Sequence, residues 1–254
     1  VSGGVAYTVN PVNAVDRSIH IDATWGLTKA IVDGSSAYDS FVVSRSPELH
    51  IVSSSIGRKT DRLVCYPQEG VCRLDTTGDM ADQPCLSDEQ VKEVARIAIE
   101  IETHYGGAQD IEWAIAPDGS ISILQSRPLQ LFTSDSRAKD GLPGSEPMLP
   151  DRPALLEGGV TASPGACAGP VFKAVKSADA LRFPKNSVLV VRQAAPYWAT
   201  LIGRCAGVIS EQGGIAGHLA NVSREFGVPA LFGCPSAMER LQDGQVVTVD
   251  ADQR

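Results

Sequence analysis

At 254 residues, 43% hydrophobic and 20% charged, the chain has ordinary globular composition and enough length for two domains. A formal charge of −8 with no basic block excludes sequence-independent nucleic-acid binding, so an anionic substrate needs a local basic site. Cys65, Cys72, Cys85, Cys167, Cys205 and Cys234 lack CxxC spacing, which argues against a zinc site or a disulfide framework. No apolar run reaches membrane-spanning length and no leader-like segment is present, so the chain reads as cytoplasmic, with reduced thiols and no membrane partner.

The chain opens at Val1-Ser2-Gly3-Gly4-Val5 with no initiator Met and enters a strand-like pattern at once, as a piece of something longer does. Ser18 to Ala23 alternates as a strand, and Trp25-Gly26-Leu27 leads into a short helix ended by Gly34. Phe41-Val42-Val43 and His50-Ile51-Val52 are further strands, separated by the turn residues Ser46-Pro47-Glu48. Ser87-Asp88-Glu89-Gln90 is a capping box, followed by an apolar face of Val91, Val94, Ala95, Ala98 and Ile101 that stops at Gly106-Gly107.

Two alternating runs follow, from Gln109 to Ile115 and from Ser120 to Pro128, joined by Pro117-Asp118-Gly119; this predicts a hairpin. Asp110 and Glu112 then share a face of one strand, and Gln125 and Arg127 share a face of the other. Two carboxylates and an amide oxygen make a hard-oxygen cluster suited to Mg²⁺, and Arg127 has the fork that binds phosphate. A solvated polar face fits the same pattern.

From Thr133 to Pro153 the chain turns to Ser, Asp, Gly and Pro without hydrophobic period, which is linker composition. Beyond it, Gly169 to Val175 and the Val-Leu-Val-Val run within Asn186 to Arg192 are strands, Pro196 to Arg204 a helix, and Gly244 to Asp250 a closing strand. Between them, the buried-strand run Ala206 to Ser210 passes through Gly213-Gly214 to His218. Leu219, Val222 and Phe226 then give helical spacing up to Gly227 and Pro229. An imidazole at a strand-to-helix turn has unpaired backbone N–H groups beside it, a setting for an anion and for a phosphorylated nucleophile. The same local pattern fits an ordinary polar residue at a helix start. His20, His50 and His104 read as surface or structural histidines, and Trp25 and Trp113 as packing residues.

The run Ile209-Ser210-Glu211-Gln212-Gly213-Gly214 through His218 to Pro229-Ala230 resembles the phosphohistidine, or swivelling, domain of the phosphoenolpyruvate synthase (pyruvate, water dikinase) and pyruvate, phosphate dikinase family. Ser2 to Pro11, Trp25-Gly26-Leu27, Asp110-Ile111-Glu112-Trp113 and Leu124-Gln125-Ser126-Arg127-Pro128 are similar to motifs in the C-terminal part of the same enzymes' ATP-grasp domain. The resemblance implies an α/β (α+β) chain: a partial ATP-grasp subdomain over 1–131, a linker over 132–154, and a β/β/α-type swivelling domain over 155–254. It further implies ATP and Mg²⁺ as cofactors, with Glu112 and Gln125 at the metal, Asp110 beside them, Arg127 on phosphate, and His218 as the phosphoryl carrier. Pyruvate or another small molecule is then the acceptor, and a homodimer is compatible with this. With the family's remaining domains outside these residues, the chain alone is expected to be inactive. Other readings are an antibiotic phosphotransferase with the same two modules, and a lapsed nucleotide-binding or regulatory module. The sequence departs from the family pattern at Ala216-Gly217, where a hydroxyl or thiol residue is usual, at Asn221, where an apolar residue is common, and at Thr28-Lys29.

Overall fold

The computed structural model describes residues 1–252 except 14, 46, 47, 67 and 130–153, so the linker expected over 132–154 lies, up to residue 153, outside the described residues. The chain divides into two compact units, Val1–Gln130 and Leu131–Arg254. Both are mixtures of strand and helix, as expected for the α/β class.

In the first unit the strands are β1 (Ser2–Tyr7), β2 (Ile19–Trp25), β3 (Asp39–Ser44), β4 (His50–Ser55), β5 (Asp61–Tyr66), β6 (Gly70–Asp75), β7 (Gln109–Ile115) and β8 (Ile121–Pro128). They form an antiparallel sheet in the order β4-β3-β2-β1-β7-β8, with β5 and β6 as a separate hairpin. The helices are the single turn α1 (Lys29–Val32) and the long α2 (Asp88–Tyr105). The capping box starts α2: Ser87 Oγ accepts from the Gln90 N–H at 3.3 Å, and the Ser87 N–H donates to Gln90 Oε1 at 2.9 Å. Gly106 ends it in the left-handed conformation, φ 71°.

Strand alternation splits the sheet into two faces. Ala6, Ile19, Ile21, Phe41, Val43, Ile111 and Trp113 face α2, whose Val91, Val94, Ala95 and Ala98 complete this core. Gly4 is the residue that lets Trp113 lie across β1, since a Cβ there would stand 2.4 Å from Trp113 Cζ2 and 2.1 Å from the Asp22 carbonyl oxygen. Lys59 and Asp39, both 0% exposed, form an ion pair beside the sheet. Lys59 Nζ also donates to the Gly57 carbonyl at 2.7 Å, while the Asp39 carboxylate accepts from the backbone N–H of Gly57 at 3.1 Å and of Cys85 at 2.8 Å. One buried pair thus ties two connecting segments to the start of β3.

The second unit contains β9 (Val160–Ser163), β10 (Ala166–Ala174), β11 (Ser187–Gln193), β12 (Cys205–Gln212), α3 (His218–Glu225), β13 (Ala230–Phe232), α4 (Ala237–Arg240) and β14 (Val246–Asp250). The sheet order is β14-β10-β11-β12-β13-β9, with β10 to β13 parallel and the two edge strands antiparallel. Its central strands are covered on both faces, which is why β11 is a continuous apolar run. Leu189 and Val191 pack with Trp198, Ile202 and Leu219 on one side. Val188 and Val190 pack with Ala237 and Leu241 on the other.

Pro196–Arg204, read from sequence as a helix, is a 3₁₀ helix. It turns Trp198, Leu201 and Ile202 into the core. Phe226, counted above with the apolar face of α3, is 61% exposed at the helix end, where its ring covers Gly203 at the Cβ position (3.2 Å).

Candidate functional site

The β7–β8 hairpin brings four of the sequence-predicted residues together. Asp110 stands opposite Arg127 and Glu112 opposite Gln125, so all four share the sheet face away from α2. A bulge makes this possible: Glu112 pairs with Gln125 but Trp113 with Ile123, leaving Leu124 as the extra residue. Ile121 and Ile123 therefore stay on the face of the core, with Ile121 packed against it and Ile123 more exposed, while Gln125 and Arg127 turn to the polar face. Strict alternation along β8 would have put Gln125 and Arg127 on the same face as Ile121 and Ile123.

Arg127 Nη2 lies 2.7 Å and Nε 2.9 Å from Asp110 Oδ2. Asp110 is buried, whereas the Arg127 side chain is 44% exposed. Burial works against the charge on Arg127, but Asp110 and, more weakly, Glu112 hold its guanidinium above the usual range. Burial raises the Glu112 carboxyl, the charge of Asp110 adds to this, and Arg127 partly offsets it. A half-buried carboxylate held up by a neighbouring carboxylate is short of positive charge, which is the condition a cation relieves. With Gln125 opposite, the donor oxygens fit a hard divalent ion such as Mg²⁺. Among the described residues no group of three or more His, Cys, Asp or Glu side chains has metal-site geometry, so amide and substrate oxygens would have to complete such a site.

The polar face extends further than the sequence reading took it. Val5 on β1 lies between Glu112 and Asp22, and Tyr7 lies between Asp110 and His20. Asp22 is 1% exposed, and burial pushes its carboxyl up to about 7 against a smaller downward pull from the Ser40 hydroxyl. The alternation of Ile19, Ile21 and Ala23 toward the core already put His20 and Asp22 on this side.

Because the folded pKa of Asp22 exceeds its unfolded value near 4, the folded chain keeps a proton that the unfolded chain releases. This contribution to stability is full below about pH 4 and is lost as pH rises through about 7. Asp22→Asn is expected to flatten the decline in urea midpoint between those limits, an effect on the order of 4 kcal/mol. An unchanged slope would refute the assignment.

A cavity of about 450 Å³, lined among others by Trp25, Cys85, Gln90 and Ile115, lies at the other end of β1 and includes none of these polar residues.

In the second unit, His218 is the first residue of α3, half-buried, following Gly217 as N-cap with extended φ −68° and ψ 153°. The Gly217 carbonyl accepts the first intrahelical bond, from the Asn221 N–H at 3.1 Å, so the N–H groups of the first turn have no partner within the helix. The loop before it leaves the carboxyl end of β12, the edge of a parallel sheet where ligands characteristically bind. Gly213 takes φ 117° with its Cβ position 2.7 Å from Ala194 Cβ, a conformation and a space that only glycine fits. Sequence reasoning missed Arg224, which is 6% exposed and donates to the Ile215 carbonyl in this loop at 3.0 Å.

Compared with known families, residues 1–141 match the AMP/ATP-binding domain of pyruvate phosphate dikinase, and residues 183–254 match the mobile domain of PEP-utilising enzymes. The chain is 34% identical over 278 residues to a phosphoenolpyruvate synthase of Aeropyrum pernix, covering 98% of this chain and 34% of that protein. It is 32% identical over 254 residues to the phosphoenolpyruvate synthase of Pyrococcus furiosus, covering 97% and 30%. To that of Escherichia coli it is 30% identical over 267 residues, covering 98% and 32%. The chain thus spans about a third of the length of these curated relatives.

Proposed function

Since the chain belongs to the family of the pyruvate phosphate dikinase AMP/ATP-binding domain, we propose that it supplies the nucleotide and phosphoryl-carrier parts of an ATP-dependent dikinase that makes phosphoenolpyruvate from pyruvate. The observation that carries this is His218 at the first position of α3, in the half of the chain that matches the PEP-utilisers' mobile domain. Its imidazole would attack the β-phosphorus of ATP as nucleophile and displace AMP; water would release the γ-phosphate as inorganic phosphate, and the phosphoryl group left on His218 would pass to pyruvate. The first-turn N–H groups and the helix dipole would stabilise the phosphoryl oxygens in the absence of a neighbouring hydroxyl.

Arg127 would grip a nucleotide phosphate with the guanidinium edge not engaged by Asp110, which holds the fork in place. Glu112 and Gln125 would hold Mg²⁺, with Asp110 adding charge beside them. When bound, this ion supplies neutralisation of phosphate charge, the main requirement of phosphoryl transfer. Holding Asp110 to Arg127 leaves Glu112 as the carboxylate that faces the cation. The reaction belongs in the cytoplasm, with ATP and pyruvate as its small-molecule partners and neither nucleic acid nor membrane, and a homodimer is compatible with it. Among the described residues no helix is long and apolar enough to cross a membrane.

The test uses the whole gene product and ATP labelled at the β-phosphate. An acid-labile label should appear on the protein and pass to pyruvate as labelled phosphoenolpyruvate. Label that never leaves the nucleotide overturns the reading, and label that transfers to another acceptor places the two modules in an antibiotic phosphotransferase.

A further inference from the structure

We infer that Arg224 and Asn221 are positioning residues that lock the loop carrying His218 against its own helix; this rests on the function proposed above. Residues 218, 221 and 224 succeed one another at i, i+3 spacing along α3, and helical side chains lean toward the N-terminus. Arg224, in the last turn, therefore extends its guanidinium back along the helix past Asn221. Three acceptors converge on it. Nη1 donates to the Ala162 carbonyl of β9 at 2.7 Å, and Nη2 donates to the Ile215 carbonyl at 3.0 Å and to Asn221 Oδ1.

One planar group thus joins the edge strand, the loop before His218 and the first turn after it. The Asn221 amide accounts for a departure from the family pattern: an apolar residue at 221 has no acceptor to offer, whereas Asn221 holds the guanidinium in the plane from which it reaches Ile215. A loop with glycine at 213, 214 and 217 has many backbone conformations to lose, and these bonds select one. The consequence is a fixed imidazole and a fixed set of first-turn N–H groups. Transfer from ATP requires in-line alignment, in which small displacements cost large factors in rate. Lysine at 224 retains the charge but not the fork that serves carbonyls in two directions.

The experiment is a single-turnover measurement of His218 labelling from β-labelled ATP in the whole gene product, with Arg224→Met, Arg224→Lys, Asn221→Ala and Val190→Ala. Arg224→Met is expected to lower the limiting rate about tenfold with the half-saturating ATP concentration unchanged, Asn221→Ala about threefold, and Arg224→Lys by an intermediate amount. Phosphoramidate supplies the control. Its P–N bond breaks as the imidazole takes the phosphoryl group and its proton leaves with ammonia, a reaction without in-line demands from a protein-bound nucleotide. All variants should label at His218 from it at the wild-type rate.

Val190→Ala thins the core on the other side of the sheet and reports what lost stability alone does to the ATP rate. If Arg224→Met does not fold, Asn221→Ala carries the test. Wild-type rates from ATP in the folded variants, or an equal loss in Val190→Ala, overturn the positioning role. Failure of the wild-type protein to label at His218 from ATP overturns the functional reading instead.

Discussion

His218→Ala is expected to reduce labelling from β-labelled ATP by at least about 10⁴-fold, the scale on which enzymes lose turnover with their nucleophile. The substitution is sterically mild. Position 218 is half-buried at the first turn of α3, where alanine is a good helix former and Gly217 still provides the N-cap carbonyl. Thermal unfolding should therefore stay within about 0.5 kcal/mol of wild type. Loss of label with an unchanged melting curve separates loss of the nucleophile from loss of the fold. Label that persists on the variant, located by peptide mass spectrometry on His20, His50 or His104, would remove His218 from the mechanism.

Lys59→Met is expected to cost about 3–5 kcal/mol, a large share of the stability of an ordinary domain. The substitution removes the ammonium from a fully buried pair and leaves the Asp39 carboxylate with two backbone N–H groups and no countercharge. The double variant Lys59→Met with Asp39→Asn should recover part of the loss, because the amide carries no charge to bury. Urea denaturation followed by tryptophan fluorescence checks this. Trp25 and Trp113 report on the first unit and Trp198 on the second, so the transition that moves should be the one the first two sense. A change below about 1 kcal/mol would show that the pair is replaceable.

What could be read in the sequence was local. The β7–β8 hairpin was legible because Pro117-Asp118-Gly119 interrupts two alternating runs, and Gly119 does take φ 85°. The start of α2 was legible because the capping box is complete within four residues. That Asp110 and Glu112 share a face of one strand, and Gln125 and Arg127 a face of the other, followed from the hairpin, but the pairing of Asp110 with Arg127 depends on the bulge at Leu124, which carries no local signal. The β5–β6 hairpin was missed: Arg62 and Arg73 break its apolar alternation, and only Leu63 along it is buried. Lys59 could not be read as a core residue, since its burial depends on Asp39, twenty positions earlier, and on a carbonyl beside it. Arg224 was not singled out, because two of its acceptors, the Ala162 and Ile215 carbonyls, lie on β9 and in the loop before α3 and leave no mark in the sequence around it. At Lys59 and Arg224 a tertiary partner overrode the local pattern.

The place of β1 in its sheet bears on how the first unit is made. Residues 2–7 precede β7 by about a hundred positions, yet they form an inner strand held by β2 on one side and β7 on the other, with Ser2 paired to both Trp25 and Ile115. A ribosome must therefore extrude more than a hundred residues before β1 has its second neighbour. Until then β1 lacks the neighbour it has in β7, and Asp110, Glu112, Gln125 and Arg127 are still unmade. Closing so long a loop is entropically slow, and a strand edge left unpaired is a site of pairing with other chains. The hairpin that carries the polar cluster is thus also the piece that seals the nascent sheet.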